Sequence, residues 1–305
     1  MLYAKAIVNP AAGGFSAVRA WPAISRELHE SGMAIEYEYA QGERHAEELA
    51  REASGAGCRY LIAVGGDGTA SAVANGILSS GASTEAILGI VPTGTASSFA
   101  RSLGIPTDYA GACSRLARRR SLCVDVGVVE WMHEGEPLRR FFLNQLGVGF
   151  GAAVIEAAGA MRVRAGPRVS YALHVLAGTR CIFSYRNRLL ALRSSGLTVE
   201  GRICALVVAN GRYLGGSMLV APGAQLDDGL LDLLVVGNLG SLGRLAMWPT
   251  LYRGGHVTHR KVVLTRTQSV RIESGERVPV EADGEFLGHC PVSVSVMPST
   301  LSVVV

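Results

Sequence analysis

Asp67 stands among glycines in Gly65-Gly66-Asp67-Gly68-Thr69, directly after the apolar run Tyr60–Val64 and before a small-residue stretch, Ala70 to Leu78, that reads as a helix. Strand, glycine turn and helix in that order make an anion site. Glycines let the backbone approach a phosphate and take positive φ, Thr69 is placed to cap the helix, and the helix N-terminus offers unpaired N–H groups and a positive dipole end. A lone carboxylate facing phosphates is a ligand for Mg2+, which is usually held by one or two carboxylates plus phosphate oxygens. A Gly-Asp-Gly turn is also ordinary punctuation between elements.

The same grammar occurs three times. Lys5–Val8 runs into Asn9-Pro10-Ala11-Ala12-Gly13-Gly14 before a helical stretch near Phe15 to Ser31, and Ile87–Val91 runs into Pro92-Thr93-Gly94-Thr95 before Ala96 to Leu103. Loops at the carboxyl ends of parallel strands line one crevice, so three of them can wrap one nucleotide. Asn9, Pro10, Gly13, Gly65, Gly66, Asp67, Gly68, Thr69, Gly94 and Thr95 are the nucleotide-binding candidates. The pattern of an ordinary P-loop is missing, and no Lys or Arg sits inside these turns, which leaves phosphate to backbone N–H groups and metal.

The elements that must position these turns divide the chain near residue 122. Before it, strands near Tyr3–Val8, Ala34–Tyr39, Tyr60–Val64 and Ile87–Val91 alternate with helices, the signature of a parallel α/β sheet. After it strand signals dominate, at Leu122–Trp131, Arg139–Leu146, Asn187–Arg193, Arg202–Ala209, Leu230–Val236, Lys261–Thr265, Ser269–Glu273 and Val278–Ala282, and they predict an antiparallel sandwich or barrel with inserted helices. The expected organisation is an α/β domain over 1–122, completed by 292–305, and a β-rich domain over 123–291.

With 305 residues, 49% hydrophobic and 18% charged, the chain can bury a large core. Its first ten residues read at once as a strand rather than a signal peptide, and no run of 18 apolar residues occurs, so a cytoplasmic protein is expected. The six cysteines share no C-x-x-C spacing and read as small buried hydrophobes. From Ala157 to Val199 there is no Asp or Glu but seven arginines, among them Arg162, Arg164 and Arg168. That stretch carries +7 against +4 for the whole chain, leaving 4 − 7 = −3 for the rest. Such a patch attracts anionic lipid head groups, or nucleic acid by the same physics; with 6% aromatics and no nucleic-acid motif, peripheral contact with an anionic membrane is the expectation. Scattered solvated arginines are the plainer explanation. The apolar residues of Leu242–Tyr252 read either as an added contact surface or as core.

Taken in order, Asn9-Pro10, Gly65 to Thr69, Pro92 to Thr95 followed by Phe99-Ala100-Arg101, Asn210-Gly211 with Gly215-Gly216, Leu226-Asp227-Asp228-Gly229 running on to Asp232, and Asp283-Gly284-Glu285 resemble the motifs of bacterial diacylglycerol kinase-like lipid kinases over nearly the whole chain. The resemblance implies an ATP- and Mg2+-dependent kinase with an N-terminal α/β nucleotide domain, a C-terminal β-sandwich carrying the lipid site, and catalysis in the cleft between them. It implies a structural Mg2+ at Asp228 with carbonyls near Gln225 and Leu230, connected toward Asp67 through metal and water, and a catalytic base at Asp283 with Glu285 as a nearby second acid. Asp-Gly is in addition a strong two-residue hairpin signal, and a tight hairpin is a rigid way to aim a carboxylate.

Two departures fall inside the nucleotide site. Ser71 and Ala72 stand where the family usually has Asn-Glu, and Ser97 and Ser98 where it usually has Asn-Asp. Ser71 can still bond a phosphate or ribose, but serine brings no metal-binding charge. Phosphoryl transfer through a loose transition state asks mainly for positioning and charge neutralisation, so a carboxylate that takes its proton late suffices as base.

Other readings compete. Gly147-Val148-Gly149-Phe150-Gly151-Ala152 after a strand is reminiscent of a dinucleotide site, but the ribose-binding acid about 20 residues later is missing. NAD kinases share the Gly-Gly-Asp-Gly turn by resemblance, yet Pro92 to Thr95 and the C-terminal match favour the lipid branch. A lipid-binding homologue without turnover is the other class, motivated by Ser71, Ala72, Ser97 and Ser98. The acceptor alcohol stays open between diacylglycerol, a sphingoid base and a smaller alcohol, as does a homodimer.

Overall fold

Short β-branched and aliphatic runs bounded by small-residue turns become the parallel half of the sheet. In the computed structural model, which describes residues 2–81, 86–165, 170–215 and 217–305 and only the backbone for 162–165 and 170–172, the chain begins β1 (Leu2–Val8), α1 (Ala12–Glu30), β2 (Met33–Tyr39), α2 (Glu43–Gly55), β3 (Tyr60–Gly65), α3 (Asp67–Ser79), β4 (Ile87–Pro92), α4 (Ser98–Ser102) and α5 (Tyr109–Arg118). Strands β2, β1, β3 and β4 lie side by side and parallel. The near-continuous apolar sequences of β3 and β4 follow from helices covering both faces, while β2, at the sheet edge, keeps exposed polar positions.

The second part runs β5 (Ser121–His133), β6 (Glu136–Phe142), β7 (Gln145–Gly149), α6 (Phe150–Ala165), α7 (Ser170–Ser184), β8 (Arg188–Ser194), β9 (Thr198–Ala209), β10 (Tyr213–Leu214), β11 (Met218–Leu219) and β12 (Leu231–Gly237). Then come α8 (Ser241–Met247), two 3-10 turns at Trp248–Arg253 and Gly255–Thr258, β13 (Val262–Thr267), β14 (Ser269–Glu273), β15 (Pro279–Ala282), β16 (Glu285–His289) and β17 (Val292–Val304). These strands pair antiparallel, and the parallel and antiparallel parts form one continuous sheet. The long strand β17 joins them: its start pairs antiparallel with β14, and Ser302 and Val303 pair parallel with Ile87 and Leu88 of β4. One apolar core gathers around β1, β3, β4 and α3 and includes Leu301 to Val304; a second gathers around β7, β9, β12 and β14.

Several elements differ from their sequence expectations for physical reasons. The strand expected over Arg139–Leu146 breaks into β6 and β7, because the amides of Leu143, Asn144 and Gln145 turn to bond Asp283 instead of a ladder. Helix α1 opens with Gly13, Gly14 and Phe15 all in the left-handed region, so its regular part starts later. The stretch expected as helix from Ala96 holds helical geometry only over the five residues of α4. Of the cysteines read as buried, Cys123 is exposed and Cys58 and Cys290 are half-buried; all six are free thiols. Arg168 and the side chains of Arg162 and Arg164 lie outside the described residues. Among the described residues no helix is long and apolar enough to cross a membrane.

Candidate active site

The three glycine turns pack on one another at the carboxyl ends of β1, β3 and β4. Asn9 donates from Nδ2 to Thr69 Oγ1 at 3.0 Å, and its Oδ1 accepts from the Ala11 amide, so the first turn is tied to the second. The amides of Thr93 and Gly94 donate to Gly65 O at 2.9 and 3.2 Å, which ties the third turn to the second. Glycine is required by close approach: a Cβ on Gly94 would fall on Gly66 Cα, and one on Gly13, itself at φ 57°, would fall on Thr93 O. Ser16 Oγ bonds the same Thr93 carbonyl at 2.7 Å. Pro10 and the exposed Thr95 complete the rim.

Thr69 does not cap α3. The helix begins at Asp67 with Gly66 as its N-cap, so Thr69 is buried inside the first turn, where its hydroxyl serves Asn9. Asp67 reaches out of that turn, and its two oxygens accept from the amides of Ser98 and Phe99 at 2.9 and 3.0 Å. The carboxylate thereby fixes the start of α4 against the glycine turn. Glu43 supplies a second carboxylate to this place, lying against Gly68 so closely that a Cβ there would overlap Oε1.

A stripe on α3 carries the chain from this turn to the other half of the fold. Asp67, Ser71 and Asn75 are spaced four apart, so each sits about 6 Å along from the last on one side of the helix. Asn75 accepts from the Phe141 amide at 3.0 Å and donates to the Phe141 carbonyl at 3.0 Å, clamping the end of β6. Ser71 hydrogen-bonds Asp283.

Asp283 and Gly284 form the two-residue turn between β15 and β16, with φ of 47° and 88°, both in the left-handed region that a type I′ hairpin demands. Asp283 Oδ2 accepts from the Leu143 amide at 2.7 Å, and Oδ1 accepts from the amides of Asn144 and Gln145 at 2.9 and 3.1 Å. Burial pushes the Asp283 carboxyl above its ordinary range, opposed by these amides and by Ser71. Two strand positions earlier, Glu281 is 3% exposed and accepts from the Gly284 amide at 2.8 Å. Burial, with the neighbouring Asp283 charge adding to it, pushes this carboxyl up to about 8. Gly147 on β7 leaves the space it fills.

Glu285 points elsewhere. It is exposed and held by Arg140 at 2.8 Å, and Arg140 also pairs with Glu47 of α2, so the arginine links the hairpin side of the cleft to the helix layer over the parallel strands. The carboxyl buried beside Asp283 is therefore Glu281 rather than Glu285.

The Asp228 loop takes separate partners. Asp228 Oδ1 accepts from the Leu230 amide at 3.1 Å, and Arg266 approaches Oδ2 at 3.6 Å. Arg266 lies 3.9 Å from Asp232, whose carboxyl burial pushes up. The fully buried Asp125 holds the loop, accepting from Gly229 and Ser299 amides at 2.6 and 2.8 Å. Asn210 bridges onward, donating to Asp125 O and Leu143 O at 2.9 and 2.8 Å. Gln225 is exposed and Leu230 half-buried on this loop.

Two buried atoms without a hydrogen bond bear on ligand fit, the second of them facing Arg266. Thr93 Oγ1 lies among the glycine turns and Asp228 Oδ2 in its loop, each buried without a hydrogen bond. The first, where the three glycine turns pack together, suits a phosphate oxygen. The second is a hard oxygen suited to a divalent cation. Among the described residues no cluster of three or more His, Cys, Asp or Glu could hold a metal ion, so an Mg2+ at Asp67 would share its coordination with phosphate oxygens.

Comparison with known proteins bears on this arrangement. Residues 3–129 match the family model described as the diacylglycerol kinase catalytic domain, and residues 144–305 match the YegS C-terminal NAD kinase beta sandwich-like domain. The chain is 30% identical over 303 residues to a diacylglycerol kinase of Mycobacterium tuberculosis, covering 98% of this chain and 93% of that protein. It is 32% identical over 294 residues to a Pseudomonas aeruginosa protein named "Probable lipid kinase YegS-like", covering 95% and 90%. A solved structure of a diacylglycerol kinase from Bacillus anthracis matches with a TM-score of 0.71 at 21% identity, covering 99% of this chain and 96% of that one, a likeness of fold.

Proposed function

Because the chain belongs to the diacylglycerol kinase catalytic-domain family of lipid kinases, we propose that it transfers the γ-phosphoryl group of ATP, with Mg2+, to the hydroxyl of a lipid such as diacylglycerol. The observation that carries this reading is α3: the phosphate turn occupies its N-terminus, and one helical turn further Ser71 bonds the hairpin carboxylate Asp283. A nucleotide on the glycine turns and an acceptor at Asp283 are thereby brought within reach of each other.

The glycine-turn amides and the Thr93 hydroxyl bind the phosphates. Asp67 would hold Mg2+ against them, and Asp228 with the carbonyls of Gln225 and Leu230 would hold a structural Mg2+. When bound, the ion at Asp67 supplies charge neutralisation at the transferred group. Asp283 orients the acceptor hydroxyl and takes its proton late; an elevated pKa makes it the stronger base. Glu285 acts through Arg140 rather than on the hydroxyl.

Asp283→Asn tests this. The substitution turns an amide nitrogen toward backbone N–H donors, so the thermal midpoint falls along with turnover. Measured on folded protein, kcat with ATP and diacylglycerol in mixed micelles drops by roughly 10²- to 10⁴-fold while ATP binding changes little. Near-wild-type turnover would remove Asp283 from the mechanism. A second reading, a lipid-binding homologue of weak activity, draws on Ser71, Ala72, Ser97 and Ser98; tight lipid binding by wild type without ATP consumption would select it.

A further inference from the structure

Helix α7 and the segment from α8 through Trp248–Arg253 pack side by side, away in sequence from the glycine turns. The buried Arg244 of α8 locks them together. Its guanidinium donates to Ile182 O and Tyr185 O, each at 3.0 Å, and to Asn187 Oδ1 at 3.1 Å. With Arg244 inward, its neighbours Leu242 and Leu245 turn outward, at 80% and 49% exposure, and Phe183, next in sequence to the Ile182 whose carbonyl Arg244 binds, is 62% exposed. Leu176 continues that face two turns back along α7 and Tyr252 extends it past α8, at 57% and 47%.

Charge decides what this face meets. Neither 157–199 nor 233–272, the two stretches that supply these elements, contains a single Asp or Glu. Arg180, Arg186 and Arg253 are exposed around the apolar residues. Large exposed apolar side chains on elements that also carry exposed cations complement a surface that is apolar below and anionic above. We propose that this α7–α8 face docks the protein on an anionic lipid bilayer, inserting Phe183, Leu242 and Leu245 between head groups. The inference rests on the lipid-kinase reading only for its purpose, since the docking chemistry is independent of catalysis.

The test is sedimentation with phosphatidylglycerol–phosphatidylcholine vesicles, run beside phosphorylation of a short-chain diacylglycerol dissolved as monomer. Leu242→Glu with Leu245→Glu is expected to lower vesicle partitioning by more than ~10-fold, and Arg180→Gln with Arg253→Gln by roughly 5-fold per charge at low salt. Both variants keep the wild-type thermal midpoint and short-chain turnover. Wild-type protein that ignores anionic vesicles, or leucine variants that bind them unchanged, would overturn the proposal. Wild type that self-associates, with variants that become monomeric yet bind vesicles as before, would assign the face to a second copy instead. Absent short-chain turnover in wild type together with intact vesicle binding would count against the kinase reading and leave the docking face standing.

Discussion

Glu281→Gln separates a buried acid from its shape. The carboxyl is 3% exposed, and burial moves it from its ordinary 4.5 to about 8. A folded-state pKa raised above the unfolded one means that the folded chain holds a proton the unfolded chain has released. The stabilisation is fully present below about pH 4.5, and it is lost as pH rises through about 8. At 1.36 kcal/mol per pKa unit the whole span is worth about 5 kcal/mol, of which about 2 kcal/mol is lost between pH 6 and pH 8. Glutamine keeps the acceptor for the Gly284 amide and has no proton to lose. Denaturant midpoints at about pH 6, 7, 8 and 9 should therefore fall more steeply in wild type than in the variant, the gap widening toward high pH. Asp283 is pushed in the same direction and lies beside it, so the difference between the curves reports Glu281 together with its coupling to Asp283. Parallel curves would refute the buried, protonated acid.

Ser71→Ala removes a hydrogen bond that favours the charged Asp283, so the acidic limb of the kcat/KM profile should move to higher pH; an unmoved limb would leave Ser71 a merely structural contact. Gly94→Ala sets a Cβ against Gly66 Cα and should abolish ATP binding, read by calorimetry, while the C-terminal core keeps its packing. Arg140→Gln breaks the tie from Glu47 to Glu285; with Glu285 exposed, a loss of about 1–2 kcal/mol is expected in denaturant unfolding. A loss nearer zero would mean that the other ties, Asn75 to Phe141 and Ser71 to Asp283, hold the two sides without Arg140.

The three glycine turns were legible in the sequence because each is local: the strand, the turn residues and the helix lie within a dozen positions, and their chemistry does not depend on anything distant. The Asp283-Gly284 hairpin was legible for the same reason. Glu281 was not. In Val278-Pro279-Val280-Glu281-Ala282 alternation reads it as a solvent-facing residue, and what buries it is Gly147 on a neighbouring strand far away in sequence. Arg140 likewise reads as one more surface cation of a strand. Asp125 did carry a signal, a single acid inside the apolar run Val124 to Val129, and a buried carboxylate capping two amides explains it. Thr69 was misjudged as a cap because the helix starts three residues earlier than its apolar pattern does.

The most consequential feature of α3 was also the least visible. Asp67, Ser71 and Asn75 look like unrelated small polar residues in a small-residue helix, yet their spacing of four sets one stripe that meets α4, the Asp283 hairpin and the end of β6 in turn. A stripe of that kind works only if the helix cannot rotate or slide. The intervening small residues provide this: Ala70, Ala72, Val73 and Ala74 are buried, and at Gly76 the backbone of α2 comes so near that a Cβ would overlap Glu47 O. Close packing on α2 fixes the register, register fixes where Ser71 sits, and Ser71 then relates the Asp67 glycine turn to the Asp283 hairpin. Serine in place of the longer Asn usual in the family therefore keeps a hydrogen bond to the Asp283 side of the cleft.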